Sequence, residues 1–248
     1  MKKLKLVAGS LFFSFMIHGH ALAQSGAGLD VRDIVTPARF SNSIQILITL
    51  ALISLVPFFL ISVTSFLRII IVLSLARTAI GTQQVPPNAV LIGLALFMTI
   101  FIMSPVITQV NNEAIGPFYD GKISQAQAFD TGMKPIRKFM FKQTREKDLN
   151  LFIQFSKIKK PTTLDEVPTQ VLIPAFMISE LKTAFQIGFL LFIPFIVIDL
   201  VVANVLLSLG MFMLSPVMVS LPFKILLFVL ADGWNLITKG LMMSFGNS

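Results

Sequence analysis

Apolar residues fill long uninterrupted stretches of the chain, and the polar punctuation between them marks where helices begin and end. The longest stretch, 183–223, carries a single charge, Asp199, and is framed by Lys182 and Lys224. About 20 apolar residues cross a bilayer core, so this run predicts two membrane-type helices in succession. Leu209-Gly210 and the following Pro216 mark the break between them, since glycine adopts the angles that end a helix and proline cannot extend its ladder. Met211, Phe212, Met213 and Leu214 occupy that break. Upstream, 40–67 is free of charge, Ser41 or Ser43 is a candidate cap, and helical character continues to Gly81. One helix over 44–80 would measure about 55 Å against a hydrocarbon core of about 30 Å. It must therefore tilt, kink at Pro57 or project beyond the lipid. The turn-forming stretch 81–88 leads into a second charge-free helix, 89–110, with Pro105 near its end, completing a helical hairpin.

The pattern changes over 111–182, which holds eleven of the twenty Lys and Arg residues and eight of the twelve acidic ones. Ile136, Phe139, Met140, Leu149, Phe152 and Ile153 recur at helical spacing, which predicts an amphipathic helix or helix pair. Pro135 suits its first position, Pro161 ends it, and Thr163 with Glu166 fits a capping box for another short turn. From Val171 a second hairpin runs with kinks at Pro174 and Pro194, and its return arm covers 217–231. Asp232 to Asn235, with an interfacial Trp234, closes that arm, and a short tail follows. The fold class read from this is all-α: integral membrane-type helical hairpins with kinked helices, plus a small extracytoplasmic helical subdomain. Its divisions are a leader (1–23), a polar N-terminal segment (24–40), a first hairpin (41–110), an amphipathic segment (111–179) and a second hairpin with a Met-rich tip (180–248).

Composition narrows the function. The 248 residues are 55% hydrophobic and 13% charged, with mean hydropathy +0.83, whereas a soluble domain is about 25% charged. Lys2, Lys3 and Lys5, the apolar stretch 6–17, and the small residues Ala21 and Ala23 read as a cleavable secretory signal. The only histidines, His18 and His20, lie in that leader, and cysteine is absent. A mature chain without His or Cys lacks the usual general bases, nucleophile pairs, and zinc or haem ligands. No enzyme activity, cofactor or metal is expected. The net charge of +8 falls by three with the leader lysines, and no Gly-rich phosphate loop is present, so nucleic-acid binding has no support. A cleaved leader places residue 24 outside, and four crossings then place 111–182 outside as well.

Arg68, Arg77, Lys182, Asp199, Lys224 and Asp232 interrupt or border the apolar runs. Ionisable groups at membrane depth cost about 3 kcal/mol or more and usually pair or face water. Asp199 and Lys224, on opposite arms of the second hairpin, are candidates for ion pairs within or between subunits. Snorkelling of Lys182 and Lys224 is the plainer alternative. Asp199 could instead relay ions or protons in a multi-pass transporter. An aspartyl protease would need Asp199 and Asp232 to face each other, yet Asp232 lies at a helix end. Methionine is an ordinary filler of apolar gaps, but at a helix break it can also line an apolar constriction repeated around a symmetric ring.

Two stretches, 64–106 beginning TSFLRIIIVLSLARTAIG and 180–234 beginning ELKTAFQIGFLLF, resemble the FliP family of the flagellar type III export gate. The stretch KPIRKFMFKQTREKDLNLF (134–152) resembles its flagellar branch, as does the leader. The resemblance implies a helical subunit of a pore for unfolded flagellar proteins across the bacterial inner membrane, in the flagellar basal body. It implies a homo-oligomeric ring of five copies assembled with FliR and FliQ, among other export-apparatus membrane proteins and membrane lipids. It also implies that much of the helical material sits above the membrane plane, which would account for a first helix too long for lipid. The family's methionine gasket maps onto Met211, Phe212 and Met213, with Phe212 departing from a fuller methionine run. Arg145, Glu180, Asp199 and Lys224 match charged positions that serve subunit contacts in the family.

Overall fold

A computed structural model describes residues 37–156, 161 and 163–246. The leader with its Ala21 and Ala23 cleavage site lies outside the described residues. Among those described there is no strand, and the helices are α1 (Pro37–Val63), α2 (Phe66–Ile80), α3 (Asn88–Val110), α4 (Gly116–Tyr119), α5 (Gln125–Gln143), α6 (Glu146–Phe155), α7 (Thr169–Ser208), α8 (Pro216–Leu230) and α9 (Gly233–Gly246). The protein is all-α with membrane-type helices. Three stretches, Ile44–Val63, Asn88–Tyr119 and Thr169–Ser208, are long and apolar enough to cross a bilayer, and α8 with α9, bent by 62°, is a fourth if counted as one span.

The chain divides into two compact units, 1–55 and 56–248. The described part of the first is the opening of α1, whose Ile46, Leu47, Ile48, Leu50 and Ile53 are exposed. Ser41 and Ser43 lie inside that helix, which starts at Pro37, so neither caps it.

Within 56–248, the helix expected to run unbroken to Ile80 stops at Val63 and restarts at Phe66. Ser62 Oγ donates to the Phe58 carbonyl at 2.7 Å and Thr64 Oγ1 donates to that of Leu60. Thr64 Oγ1 also accepts from the Phe66 N–H at 3.3 Å. Hydroxyls bonded to the backbone in this way compete with the helical ladder, and here they separate two helices. The turn after α2 forms as its composition predicts. Gly81 takes the left-handed conformation (φ 90°), and Arg77 bonds across the turn to the Pro86 carbonyl at 3.1 Å and Asn88 Oδ1 at 2.7 Å.

α2 is the central helix of this unit. Its Phe66, Ile69, Val72, Leu73 and Ala76 are buried against Leu91, Ala95 and Met98 of α3, Ala184 of α7, and Ile237, Leu241 and Phe245 of α9. At Gly188 a Cβ would stand 2.2 Å from Leu75 Cδ1, so α7 reaches α2 closely because that position has no side chain. The 14 residues from Gly233, expected as the closure of the return arm and a short tail, form a helix that completes this core.

The six apolar positions of the amphipathic segment share a second core. Met140 and Leu149 are buried with Val171, Leu172, Ala175 and Phe176, and Ile136, Phe139, Phe152 and Ile153 pack around them. The segment is a helix pair broken at Thr144-Arg145. Pro135 is not its first residue, because Ser124 and Gln127 form a reciprocal capping box ten residues earlier and set the start of α5 there. The box expected at Thr163 does not form, since the Thr163 side chain makes no cap bond. Arg137 fastens the short turn Leu164–Glu166 instead, donating to Thr169 Oγ1 and the Val167 carbonyl, each at 2.6 Å.

Candidate functional site

Three polar junctions tie the helices together, and an apolar tip closes the second hairpin. The most deeply buried junction is centred on Arg68, whose side chain is 2% exposed against 0% for its partner Glu180. Its Nε donates to Glu180 Oε2 at 2.9 Å and its Nη2 to Oε1, a two-pronged contact that holds both groups in plane. Nη2 also donates to Gln143 Oε1 at 2.9 Å, and Nη1 to the carbonyl and hydroxyl of Ser244, both at 3.0 Å. The Phe245 ring lies 3.8 Å from the guanidinium carbon. One side chain of α2 thus joins α5, α7 and α9. Glu180 stands two positions from Lys182 in the sequence, but it turns to a residue 112 positions away.

Lys182 turns to Asp148, which also accepts from Ser179 Oγ at 2.9 Å. Arg145 closes this second junction: its backbone N–H donates to Ser179 Oγ at 3.0 Å, and its Nη2 donates to Thr183 Oγ1 at 3.1 Å and Gln186 Oε1 at 2.5 Å. Burial acts to raise the pKa of the Asp148 carboxyl, but the Lys182 and Ser179 hydrogen bonds and the Lys182 and Arg145 charges outweigh it, leaving the pKa below its ordinary 3.8. A carboxylate held below its unfolded value stabilises the fold fully above that value, and the contribution is lost as pH falls through the lowered one. Asp148→Asn should therefore lower the melting temperature of the detergent-purified chain at pH 7, and the deficit should close as pH falls below about 4. Melting curves between pH 3 and 7 test this, and a deficit independent of pH would contradict it.

The third junction sits on the second hairpin. Lys224 Nζ donates to Asp199 Oδ2 at 2.6 Å, and Ser220 Oγ donates to Oδ1. Lys224 is buried, and its stem packs beside Gly81 at the end of α2, where helix carbonyls favour a cation. Reversing either charge alone should reduce the yield of folded particle severely. Asp199→Lys with Lys224→Asp should restore only part of it, because a carboxylate at 224 would face the carbonyl end of α2. Size-exclusion yield of the three variants decides the matter. A double variant no better than the singles would show that the pair does not govern folding.

The tip is built by a well-defined helix stop. Gly210 (φ 74°) donates to the Leu207 carbonyl at 3.0 Å and Met211 donates to that of Leu206 at 2.9 Å, the paired bonds of a Schellman motif. Pro216 then opens α8 at a position where its missing N–H costs nothing. Between them Met211 is 45% exposed, Phe212 75% and Met213 100%, and Met218 on the next turn is also exposed. The described residues leave Met213 wholly uncovered and Phe212 and Met218 largely so. Among the described residues no cluster of three or more His, Cys, Asp or Glu could hold a metal ion.

The sequence reading named Glu180, Asp199, Lys224 and Arg145, and the structure places each in one of the three junctions. It missed Gln143, Asp148 and Ser244 as partners, which no local spacing connects. A signal for α9 did exist: Gly233, Ile237, Leu241 and Phe245 recur every four residues, and all are buried.

Comparison with known proteins adds independent information. A family model described as the FliP family matches residues 49–241. The chain is 56% identical over 209 residues to a protein named flagellar biosynthetic protein FliP from Bacillus subtilis, covering 84% of this chain and 95% of that one. It is 54% identical over 203 residues to the protein of that name from Pectobacterium carotovorum (82% and 79% covered), and 50% identical over 206 residues to the one from Aquifex aeolicus (82% and 86% covered).

Proposed function

The chain belongs to the FliP family, and on that premise we propose that it is a structural and gating subunit of the flagellar type III export gate, forming a pore for unfolded flagellar proteins. The observation that carries the gating role is the fully exposed Met213, which follows exposed Met211 and Phe212 on a tip that a Schellman stop holds in fixed geometry. Contiguous apolar surface of this kind marks a contact or membrane surface. Several copies converging on one axis would bring these flexible side chains together as an apolar constriction that closes and yields. The exposed apolar residues of α7 and α8, Phe185, Phe189, Val197, Leu200, Leu226 and Val229 among them, are available to lipid and to neighbouring subunits. α7 would measure about 60 Å, twice the hydrocarbon core, so part of it must lie outside lipid.

In this reading a ring of five copies assembles with FliR and FliQ in the inner membrane at the flagellar basal body. The segment 111–179 is then extracytoplasmic, and Arg145, Glu180, Asp199 and Lys224 hold each subunit in the shape that its neighbours recognise. No bond chemistry or cofactor is required. Asp199 is engaged by Lys224 and Ser220, which weighs against a free carrier carboxylate in a transporter. The mass of the detergent-purified particle, alone and with co-expressed FliR and FliQ, tests the reading. A discrete multi-copy particle that gains mass with the partners is expected. A monomer that takes up no partner, or that moves a solute when reconstituted alone in liposomes, would overturn it.

A further inference from the structure

We propose that the groove between α3, α5 and α9 binds the headgroup of an anionic phospholipid. The groove, of about 610 Å³, is lined by Phe101, Pro105, Phe139, Met242 and Phe245 together with Lys138 and Lys142. Its remaining polar lining is neutral, and no acidic residue lines it. Lys134, Lys138 and Lys142 follow one another every four residues along α5 and are all exposed. No ion pair engages any of the three among the described residues. The same three lysines also line a second groove, together with Arg137, Asp130 and Asp165. Within the groove between α3, α5 and α9, Lys138 and Lys142 therefore face apolar and neutral polar side chains and no carboxylate.

The placement of the lysines along α3 points to a lipid. A Cβ at Gly132 would lie 3.3 Å from Ala114 and 3.7 Å from Val110, so the start of α5 meets the end of the Asn88–Tyr119 span. Pro135, Lys138 and Lys142 then line the groove with Phe101 to Gln109, as α5 returns along α3. From that level toward the start of α3 run exposed Phe101, Ile100, Phe97 and Val90. Phe101 and Val90 lie about 17 Å apart along the axis, close to the roughly 15 Å depth of one leaflet. From Gln109 at the edge of the groove the chain turns polar, with Asn111, Asn112 and Glu113 following. Cations at the polar end of an apolar helix face, over a furrow that accepts acyl carbons, match a phosphate headgroup with its chains in the leaflet.

Native mass spectrometry of the full chain in mild detergent, titrated with phosphatidylglycerol or phosphatidylethanolamine, tests this. Preferential retention of phosphatidylglycerol is expected. Lys138→Gln with Lys142→Gln should lower that preference by roughly thirtyfold, and Lys147→Gln, outside the groove, should leave it unchanged. Equal retention of the two lipids, or a preference that survives the double substitution, would overturn the proposal. Displacement of the lipid by inorganic phosphate at equal concentration would also overturn it, by reducing the site to a simple anion site. The cysteine-free chain permits a further check with Ser104→Cys alone. Disulfide-linked dimers of this variant would show a second copy covering the groove and overturn the lipid assignment, whereas a thiol that stays monomeric supports it.

Discussion

Replacing Arg68 with methionine is expected to lower stability by about 3–5 kcal/mol, because removing one member of a buried pair strands the other charge without solvent. Folded domains have about 5–15 kcal/mol in total, so little folded protein should remain at growth temperature. The effect should exceed that of removing an apolar neighbour such as Val72, since Arg68 also holds Gln143 and Ser244. Changing both members together, Arg68→Met with Glu180→Leu, should recover much of the loss, as apolar replacement of a complete buried pair is often neutral. Recovery should stop short of wild type because Gln143 Oε1 and the Ser244 carbonyl lose their guanidinium donor. Thermal melting in detergent, read by far-UV circular dichroism, measures all three proteins. A single variant that melts like the wild type would contradict the account. Equal loss in the single and double variants would place the effect in packing volume rather than charge.

The contrast between this junction and the rest of the fold shows what a sequence carries locally. Gly81, Gly210 and Pro216 stop and start helices through their own backbone preferences, and the structure puts the breaks where those residues stand. The six apolar positions over 136–153 reach one core because helical periodicity is a property of the segment itself. The break at Thr64-Ser65 was hidden, since hydroxyls inside an apolar run bond either to their own helix or across a break, and composition does not choose between the two. Pro135 was misplaced for a different reason: proline favours a first turn and loses a ladder bond within a helix, yet Pro135 lies inside α5 because the Ser124–Gln127 box fixed the start earlier. The partners of Glu180 and Lys182 were out of reach altogether. Both charges were visible, but the choice between Arg68 and Asp148 is made by the packing of α7 against α2 and α6, across separations of 112 and 34 positions.

Truncating the tip, Met211→Ala with Met213→Ala, is expected to leave the assembled particle at its wild-type mass while raising leakage of small ions by roughly tenfold or more. The first half of that expectation follows from position. Both side chains are exposed beyond the Schellman stop, and neither belongs to a core cluster, so folding loses little. The second half follows from the physics of an apolar constriction, which excludes ions while it is narrow and dry. Each methionine-to-alanine change widens the opening and removes apolar surface, and a loss of about 1.4 kcal/mol from the barrier is already tenfold in permeation. Phe212 separates two arrangements. If it lines the opening, Phe212→Ala should leak as the double variant does; if it packs between neighbouring tips, the same change should instead lower particle mass. Conductance of cells expressing each variant, set beside the mass of the purified particle, distinguishes these outcomes. An intact particle with unchanged conductance in the Met211→Ala, Met213→Ala variant would remove the tip from the gate, leaving its exposed methionines as a surface for lipid or a neighbouring subunit.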